Sequence, residues 1–476
     1  MLRFFSGKGA RTAGISRRQW LQIGTLAGLE TLVGGRAPRG VDATKSKIAG
    51  FGRARSVILV YASGGQSQLD TWDPKPSAPD GIRGEFAPIA TAVPGVNVCE
   101  HMPRLARLAD RYTIVRSVSH DDLDHGSASY LALTGRFHAR KSSNPPPSPS
   151  DDPTYGAVLK RVHRNDRFPY DCVHVNGPLQ VPVLPSPGQN AGFLGRNYEP
   201  LVIGDASTKR VALADLDRHV DVSLDRLNGR QSLRAALEAA ARDAAGDRTR
   251  VEMDQLYRQA FELLNSPQVS QAFDLSLEDS RLRDRYGRHR SGQACLLARR
   301  LVEAGVPLVT VFFNHTARGQ DTAPTDTNAY GWDTHNDIFD ALKVHLLPRF
   351  DASFATLLQD LDDRGLLEET LVVCMGEFGR APRVALEPRF AGSSPGRKHW
   401  ASVYSIVLAG AGVQRGGVYG ASDAIGAVPA RDRVTPGDVA ATMFSALGID
   451  PAGHYVDALG RPFPIATGRP MESLYG

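Results

Sequence analysis

The chain has 476 residues, of which 42% are hydrophobic, and this length suffices for one large globular domain or two smaller ones. Its 56 basic and 51 acidic residues nearly balance, so the formal charge of +5 is too small to indicate a nucleic-acid-binding protein. The four cysteines lie far apart and form no CxxC pair, which argues against a zinc knuckle or a redox motif.

The N-terminal segment has the layout of an export signal. Arg17 and Arg18 precede the mildly apolar run of SRRQWLQIGTLAGLETLVGG, which is too short and too rich in glycine to span a bilayer stably. The arginine pair followed by WLQ resembles the twin-arginine export motif, and an amphipathic N-terminal helix is the alternative. We therefore predict that residues 1–50 are a twin-arginine-type signal and linker. The protein would use the twin-arginine export machinery and be periplasmic or at the cell surface.

Strands and helices alternate in the first half of the remaining chain. RSVILVYASGG is typical of a buried parallel strand that ends in glycines, and it is followed by a helical pattern in MPRLARLADRY and a strand in YTIVRSVS. GSASYLALTG predicts a helix that stops at Gly135. Residues 224–303 are strongly helical, which predicts a helical insertion whose last helix returns to the sheet.

The C-terminal part of the chain repeats the alternation. VPLVTVFF, TLVVCMGEFG and SVYSIVLAG are strand candidates, and TPGDVAATMFSALGI is a late helix with Thr435 as N-cap and Asp438 at the capping-box position. The pattern predicts an α/β fold with a mostly parallel central sheet over residues 51–476. In such sheets ligands gather at the carboxyl ends of the strands, where the polar clusters of this chain also fall.

The first two polar clusters follow the first two strands. In SGGQSQLDTWDPK, Asp70 or Asp73 could bind a cation, and the glycine pair could turn backbone amides toward an anion; a simple glycine turn is the alternative. In SHDDLDHGSASYLALTGR, His120, His125 and Ser127 lie at a strand-to-helix junction. A histidine there can be a metal ligand, a proton carrier or a nucleophile, whereas the alternative is that Asp124 or Ser127 caps the helix.

Two further clusters lie in the second half of the chain. Asp333 and His335 of WDTH can reach one ion, and their chemistry suits zinc, manganese or iron better than calcium; a helix cap with an exposed histidine is the alternative. Glu377 ends a hydrophobic strand, where a carboxylate is costly unless it is paired or bound to metal. His399 precedes the next strand. The alternatives for this pair are an ion pair between Glu377 and Arg380 and a structural histidine.

The motifs and their order resemble those of the alkaline phosphatase and sulfatase superfamily. HGSASYLALTGR is similar to CxPSRASLLTGR, the segment that carries the sulfatase nucleophile. LEETLVVCMGEFG is similar to DNTLVIFTSDHG, and DVAATMFSALGIDP is similar to DLAPTLLELLGID. Within the superfamily the chain most resembles the exported bacterial family called domain of unknown function 1501, which shares WDTH, GEFGR and HW. The resemblance implies an alkaline-phosphatase-like three-layer sandwich with a mostly parallel central sheet and a helical insertion.

The chain departs from the superfamily pattern at its reactive positions. Ser63-Gly64 stand where one or two metal-binding aspartates are usual, and Glu377-Phe378 stand where Asp-His is usual, so one imidazole ligand is lost. His125 falls at the position of the sulfatase nucleophile cysteine. The absence of that cysteine argues against an ordinary sulfatase.

The resemblance nevertheless implies an exported metal-dependent hydrolase of phosphate or sulfate esters. One divalent ion (zinc, manganese or calcium) would be held by Asp70, Asp333, His335, Glu377 and His399. His125 or Ser127 would supply the attacking atom, or His125 the proton, and His120 would orient its neighbour.

The implied substrate is a small-molecule or glycan ester, and neither nucleic acid nor a stable transmembrane span is expected. The main alternative is a non-catalytic member of the superfamily that binds anionic glycans or a cell-surface partner. A mutase or transferase activity is a third possibility.

Overall fold

The structure is a computed structural model, and it describes residues 48–163, 165, 167–181, 184–208, 226, 229, 232–233, 257, 266–319 and 330–476. Residues 48–476 form one compact unit. The predicted export signal lies outside the described residues, and so does most of the predicted helical insertion before residue 266.

The described strands are mostly short, and the longest of them form the central sheet. The strands are β1 (Ser56–Tyr61), β2 (Pro88–Ala90), β3 (Asn97–Cys99), β4 (Tyr112–Val118), β5 (Cys172–Val175), β6 (Leu201–Ile203), β7 (Leu308–Phe312), β8 (Thr370–Met375), β9 (Gly379–Arg380), β10 (His399–Trp400), β11 (Tyr404–Ala409), β12 (Val418–Tyr419), β13 (Ala421–Ser422), β14 (Pro429–Arg431), β15 (His454–Val456) and β16 (Pro462–Pro464).

The described helices vary in length from one turn to nearly five. They are α1 (Asp80–Arg83), α2 (Pro103–Arg107), α3 (His125–Thr134), α4 (Tyr155–Val162), α5 (Pro267–Phe273), α6 (Ser280–Tyr286), α7 (Arg290–Glu303), α8 (Ile338–Asp340), α9 (Leu347–Asp363) and α10 (Pro436–Ala446). A π-helical stretch, Ala341–Leu346, joins α8 to α9.

The central sheet has eight strands in the order β12-β4-β11-β8-β1-β7-β5-β6. β11 is antiparallel to both of its neighbours, and the other pairs are parallel. β1, β7 and β8 are buried along their whole length, which explains why their sequences are continuous apolar runs rather than alternating patterns. The predicted mostly parallel sheet is therefore confirmed, with one reversed strand.

Helices cover both faces of the sheet and make a three-layer sandwich. Along β1, Ile58 and Val60 face a core that also contains residues of α2, α7 and α9. Val57, Leu59 and Tyr61 face the opposite core, which contains residues of α3, α4 and α10. This architecture confirms the predicted α/β sandwich, because side chains of a strand alternate between two hydrophobic layers.

Two helix ends agree with their sequence signals. α3 ends at Gly135, whose φ of 71° is the left-handed conformation that glycine adopts readily. α10 begins with a complete capping box, in which Thr435 and Asp438 each bind the other's backbone amide. In addition, α7 contains the predicted last helix of the insertion, and it packs against the sheet.

His174 on β5 is a buried histidine with no polar partner among the described residues. Its side chain is fully buried, neither ring nitrogen is hydrogen-bonded, and burial lowers its pKa to about 3. An unfolded histidine takes up its proton near pH 6.5. Neutral His174 therefore makes its full contribution to the unfolding free energy above about pH 6.5, and this contribution is lost as the pH falls toward 3.

We expect His174→Leu to weaken the acid sensitivity of the fold. Between pH 8 and pH 5 the wild type should lose on the order of 2 kcal/mol more unfolding free energy than the variant, because only the wild type must protonate this site on unfolding. Urea unfolding at both pH values measures the difference. His454→Leu, at an exposed position on β15, is the control and should match the wild type; equal pH dependence in all three proteins would contradict the prediction.

Candidate metal centre

The polar segments that follow several strands meet at the carboxyl edge of the sheet. β1 leads into the glycine pair at residues 64–65, β4 into the loop before α3, β7 into residues 313–319 and β8 into Glu377, and Asp333 and His335 lie in the described stretch 330–337. His399 lies in β10, just before β11, which starts at this edge because it runs in the opposite direction. The sheet topology thus brings together segments that are up to 340 residues apart.

Asp333 is the centre of this cluster. Its Oδ1 atom lies 3.1 Å from His125 Nε2, 3.0 Å from His335 Nε2 and 3.2 Å from His399 Nε2. Arg380 Nη2 donates a hydrogen bond of 2.9 Å to the same oxygen. Ligand atoms of His125, Asp333 and His399 all lie within 4.8 Å of one another. One carboxylate oxygen therefore has three imidazole nitrogens and a guanidinium around it.

The other ring nitrogen of each histidine faces an oxygen acceptor. The distances from Nδ1 are 2.6 Å from His125 to Glu377 Oε1, 3.4 Å from His335 to Glu387 Oε2 and 2.7 Å from His399 to the Leu123 carbonyl oxygen. Metal-binding histidines usually have such a partner, which orients the ring and leaves the second nitrogen for the ion. All three rings share this arrangement, with Nε2 directed at the same point.

His399 could offer a nitrogen lone pair to a cation. The Leu123 carbonyl can only accept a hydrogen bond, so His399 Nδ1 carries the proton. Burial, aided by the positive charge of His125, lowers the pKa of His399 to about 3, so the ring is neutral and its Nε2 has a bare lone pair. That lone pair faces Asp333 Oδ1 at 3.2 Å, so the two atoms could share one cation, and the Arg380 guanidinium already lies 2.9 Å from the same oxygen.

The donor atoms fit a small divalent ion. Burial by itself raises the pKa of Asp333, but the positive charge and the hydrogen bond of His125 hold that pKa well below its usual range, so the carboxylate is ionised. Zinc bonds of about 2.0 Å to nitrogen or oxygen in a tetrahedron place neighbouring ligand atoms roughly 3.3 Å apart. The separations of 3.0–3.2 Å around Asp333 are close to that value.

His125 differs from His399 in its protonation state. Burial lowers its pKa, yet the charges and hydrogen bonds of Asp333 and Glu377 outweigh burial and raise this pKa to about 9. Both nitrogens face carboxylate oxygens, so the ring is an imidazolium at neutral pH. A metal ion bound at Nε2 would replace that proton, as metal ions do when they bind histidine.

Glu377 lies behind His125 rather than among the atoms around Asp333. Its side chain is fully buried and accepts hydrogen bonds from His125 Nδ1 at 2.6 Å, from the Gly64 amide at 2.8 Å and from the Tyr61 hydroxyl at 3.1 Å. The glycine turn that was expected to bind an anion therefore binds this carboxylate. Gly64 has a φ of +115°, and a Cβ there would lie 2.3 Å from the Asp333 amide nitrogen, so only glycine fits.

Asp70, which was predicted as a metal ligand, does not reach the cluster. Arg397 binds both of its oxygens, with Nε 2.7 Å from Oδ2 and Nη2 3.1 Å from Oδ1. Both side chains are buried, and the Ser67 hydroxyl adds a further hydrogen bond to Oδ2. The Asp70 carboxylate is paired with Arg397 and cannot replace the missing aspartate of the superfamily pattern. The prediction that Asp70 is a metal ligand is therefore corrected.

Ser127 and His120 have structural contacts instead of the predicted catalytic ones. The Ser127 hydroxyl is fully buried, donates to Asp122 Oδ1 at 2.7 Å and accepts from the Ser143 amide at 3.1 Å. His120 Nε2 donates to the main-chain oxygen of Glu377 at 2.6 Å, and its Nδ1 accepts from the Asp122 amide. His120 therefore positions the backbone of Glu377 rather than the ring of His125.

Two of the first three amides of α3 already have hydrogen-bond partners. The Gly126 amide donates to Asn144 Oδ1 at 2.7 Å, and the Ser127 amide donates to the Ser143 carbonyl at 3.0 Å. The loop of residues 142–144 thus covers the helix end. Phe378, which replaces an imidazole of the superfamily pattern, is fully buried with its ring centroid 4.8 Å from that of His125 and 4.7 Å from that of His399.

Several partners in the site could not be found from the sequence. The carbonyl of Leu123 has no side-chain signal, and Glu387 belongs to no motif. Arg380 was considered only as a partner of Glu377, whereas in the structure it pairs with Asp333. The Phe390 ring stacks on His335 with centroids 3.6 Å apart.

The fold and the site together define an α/β sandwich protein with an imidazole–carboxylate cluster at the carboxyl edge of its sheet. Residues 54–475 match the family described as Protein of unknown function (DUF1501), and the chain belongs to that family. The family resemblance seen in WDTH, GEFGR and HW is thereby confirmed.

Solved structures with a similar fold include that of Ps i-CgsB, at 12% identity and a TM-score of 0.41 over 88% of this chain and 76% of that chain. Another is the PsFucS1 sulfatase from Pseudoalteromonas sp., at 14% identity and a TM-score of 0.36 over 92% of this chain and 72% of that chain. A third is the phosphonate monoester hydrolase SpPMH from Silicibacter pomeroyi, at 12% identity and a TM-score of 0.38 over 88% of this chain and 76% of that chain. No protein with a curated description matches the chain. No activity follows from likenesses at this level.

Glu377→Gln tests the support that this residue gives to His125. The amide keeps the shape and can still accept from Nδ1, but it lacks the charge that makes the imidazole a stronger ligand. We expect zinc affinity, measured by competition with a chromogenic chelator, to fall by about 10- to 100-fold. Glu387→Gln is the matched control: its contact to His335 is longer, at 3.4 Å, and Lys398 shares the carboxylate, so a smaller loss is expected. The reverse order of the two losses would refute the assignment.

Proposed function

We propose that the protein is a metal-dependent hydrolase of phosphate or sulfate esters. The observation that carries the proposal is the convergence of the Nε2 atoms of His125, His335 and His399 on Asp333 Oδ1, at distances of 3.0–3.2 Å. The ester class is supported by the resemblance of the motifs to the alkaline phosphatase and sulfatase superfamily.

His125, Asp333 and His399 would hold one divalent ion, and His335, whose Nε2 lies 3.0 Å from Asp333 Oδ1, would be the third imidazole beside it. Three imidazoles and a carboxylate suit zinc or manganese better than calcium, which prefers an all-oxygen environment. A bound ion of this kind stabilises negative charge that develops on an ester oxygen. Asp333 and His399 have partly exposed side chains, at 18% and 19%, so the cluster is open to solvent on their side.

The surrounding side chains hold the cluster in place. Arg380 is fully buried and donates both to Asp333 and to the Gly65 carbonyl, so it ties the segment after β7 to the loop after β1. Phe378 fills the space beside His125 and His399 and keeps water from that side. These contacts preorganise the ligand atoms, which is a requirement for a precise site.

We infer that water, rather than a side chain, attacks the ester. Both nitrogens of His125 face carboxylates, and the Ser127 hydroxyl donates to Asp122. Neither group therefore has the free lone pair, the adjacent base and the access to solvent that a nucleophile needs. His125 would act in metal binding, with its Nδ1 proton held by Glu377.

A second candidate is a non-catalytic protein that binds an anionic glycan or a cell-surface partner. It is favoured by Phe378 in place of an imidazole and by the loop that covers the start of α3, because both changes remove parts of a hydrolytic site. Such a protein would bind a sulfated polysaccharide and release no product.

Elemental analysis after mild purification, followed by assays with p-nitrophenyl phosphate and p-nitrophenyl sulfate, separates the two candidates. The proposal predicts about one equivalent of divalent metal and a hydrolysis rate that chelator abolishes and added metal restores. Metal-free protein whose thermal stability is unchanged by chelator would count decisively against it. Tight binding of heparin without turnover would support the second candidate.

We also propose that the protein is exported by the twin-arginine machinery and acts in the periplasm or at the cell surface. The support is the Arg17-Arg18 segment and its resemblance to the export motif. In the described residues, no helix has both the length and the apolar character needed to cross a bilayer. Fractionation of cells that express the full chain tests the location, and protein confined to the cytoplasm would exclude it.

A further inference from the structure

A cavity of about 900 Å³ is lined in part by the loop between β4 and α3, the same loop that leads to His125 of the metal centre. Ser119, His120 and Asp121 of that loop form one wall, residues at the end of α3 form another, and the segment before α10 forms the third. His125, Asp333 and His399 do not line it. Its size is that of a cavity which accommodates a small organic molecule.

The cavity wall carries one positive charge without a counterion. Lys141 pairs with Asp121 at 2.9 Å, and Arg136 Nε lies 3.8 Å from Asp152 Oδ1. The contact of Arg433 is a hydrogen bond of 3.2 Å from Nε to the Ser119 hydroxyl, and no carboxylate of the described residues lies within 4 Å of its guanidinium. Its outer nitrogens therefore remain able to bind an anion in the bidentate manner typical of arginine.

The rest of the wall suits a ring with hydroxyl groups. Phe137 and Val428 are large apolar side chains with exposures of 44% and 46%, and Lys141 Nζ lies 3.6 Å from the centroid of the Phe137 ring. The hydroxyl-bearing residues Ser402 and Thr467 also line the cavity. Apolar faces together with hydroxyls and one free guanidinium match a sugar-like ring that bears an anionic substituent.

The cavity and the metal centre are close along the chain at two points. Asp121 lines the cavity, and two residues later the Leu123 carbonyl binds His399. Ser402 lines the cavity three residues after His399. Even a fully extended chain spans only about 11 Å over three residues, so one ligand a few rings long could contact both places.

We propose that this cavity binds the anionic substituent of a ring-containing compound through Arg433, and that the ester substrate carries this second anionic group beside the ester that is cleaved. The claim that the bound anion is part of the substrate rests on the proposed function. The claim that the cavity binds an anion is independent of that function. The inference narrows the substrate class from simple monoesters to acidic sugars or similar rings.

Calorimetric titration with D-glucuronate and with galactose 6-sulfate tests the cavity, and neutral galactose is the uncharged control. We expect both anionic sugars to bind the wild type, and Arg433→Gln to weaken their binding by at least about tenfold, since the charge-assisted contact is lost. Arg431→Gln is the matched control, because Arg431 is 68% exposed and lies outside the cavity. It should bind like the wild type, and melting temperatures verify that both variants fold.

Two results would overturn the inference: equal affinity in the wild type and Arg433→Gln, or equal binding of galactose and the anionic sugars. Repeating the titration in the presence of chelator tests anion binding in the cavity separately from the metal-dependent activity of the proposed function. Anion binding that depends on Arg433 but is accompanied by no ester hydrolysis would leave the cavity assignment standing and remove the proposed activity. Ester hydrolysis without anion binding that depends on Arg433 would support the proposed activity and remove the cavity assignment.

Discussion

Asp333→Asn is expected to abolish metal binding and, with it, ester hydrolysis. Asp333 Oδ1 is the atom on which three imidazole Nε2 atoms converge, and an amide removes the negative charge that a divalent ion needs there. We expect the affinity for zinc to fall by at least about 100-fold, more than the loss on removing a hydrogen-bonding partner of a ligand. Elemental analysis and chelator competition measure the loss, and initial rates with an aryl ester measure its consequence.

Two companion variants make the Asp333 result interpretable. Asp340→Asn changes an exposed carboxylate seven residues further along the same segment and should retain metal and activity. His399→Ala removes a partly exposed ligand without uncovering the buried guanidinium of Arg380, so it should lose metal with a smaller change in stability. A folded Asp333→Asn protein with its full complement of metal would contradict the assignment.

Asp70→Asn is expected to cause the largest loss of stability. Asp70 and Arg397 are both buried and share two short contacts, so removing the carboxylate leaves an arginine charge unpaired in the interior. Breaking one side of such a buried ion pair costs about 3–5 kcal/mol. Chemical unfolding measures the loss, and elemental analysis of the folded variant should show the same metal content as the wild type.

The control for this variant is an exposed ion pair of similar geometry. Asp80 lies 2.8 Å from Arg83, but the two side chains are 87% and 50% exposed. Asp80→Asn should therefore change the unfolding free energy by less than about 1 kcal/mol, because water solvates both charges. Similar losses in the two variants would show that the Asp70 pair is not a buried structural contact. A loss of metal together with a small change in stability would restore Asp70 as a ligand.

The fold could largely be predicted because its strands are continuous apolar runs. The runs that became β1, β4, β7, β8 and β11 are almost entirely buried, and this burial favours apolar residues at most positions, although β4 also contains the half-buried Arg116. β5 and β6 were not predicted, since they have four and three residues and no periodicity can be read over such lengths. The reversed direction of β11 also has no local signal.

The candidate site was predicted in part, and the reason lies in the topology of the sheet. Asp333, His335 and His399 each follow or precede a strand that meets the same edge, so their proximity could be expected from strand order alone. His125 was predicted to react at this edge, but its two carboxylate neighbours make it a candidate ligand instead. Glu377 was predicted to bind metal and instead supports His125.

By itself, the sequence determined the class of fold, the family and the set of ionisable side chains at one edge of the sheet. It could do so because local residue patterns indicate which segments are buried strands and in which order they follow. Only the tertiary structure decided which of these groups pair. Asp70 is neutralised by Arg397, 327 positions away, and the protonation of His399 depends on the backbone carbonyl of Leu123. Electrostatic interactions depend on distance in space and on burial, and neither quantity is local in the chain.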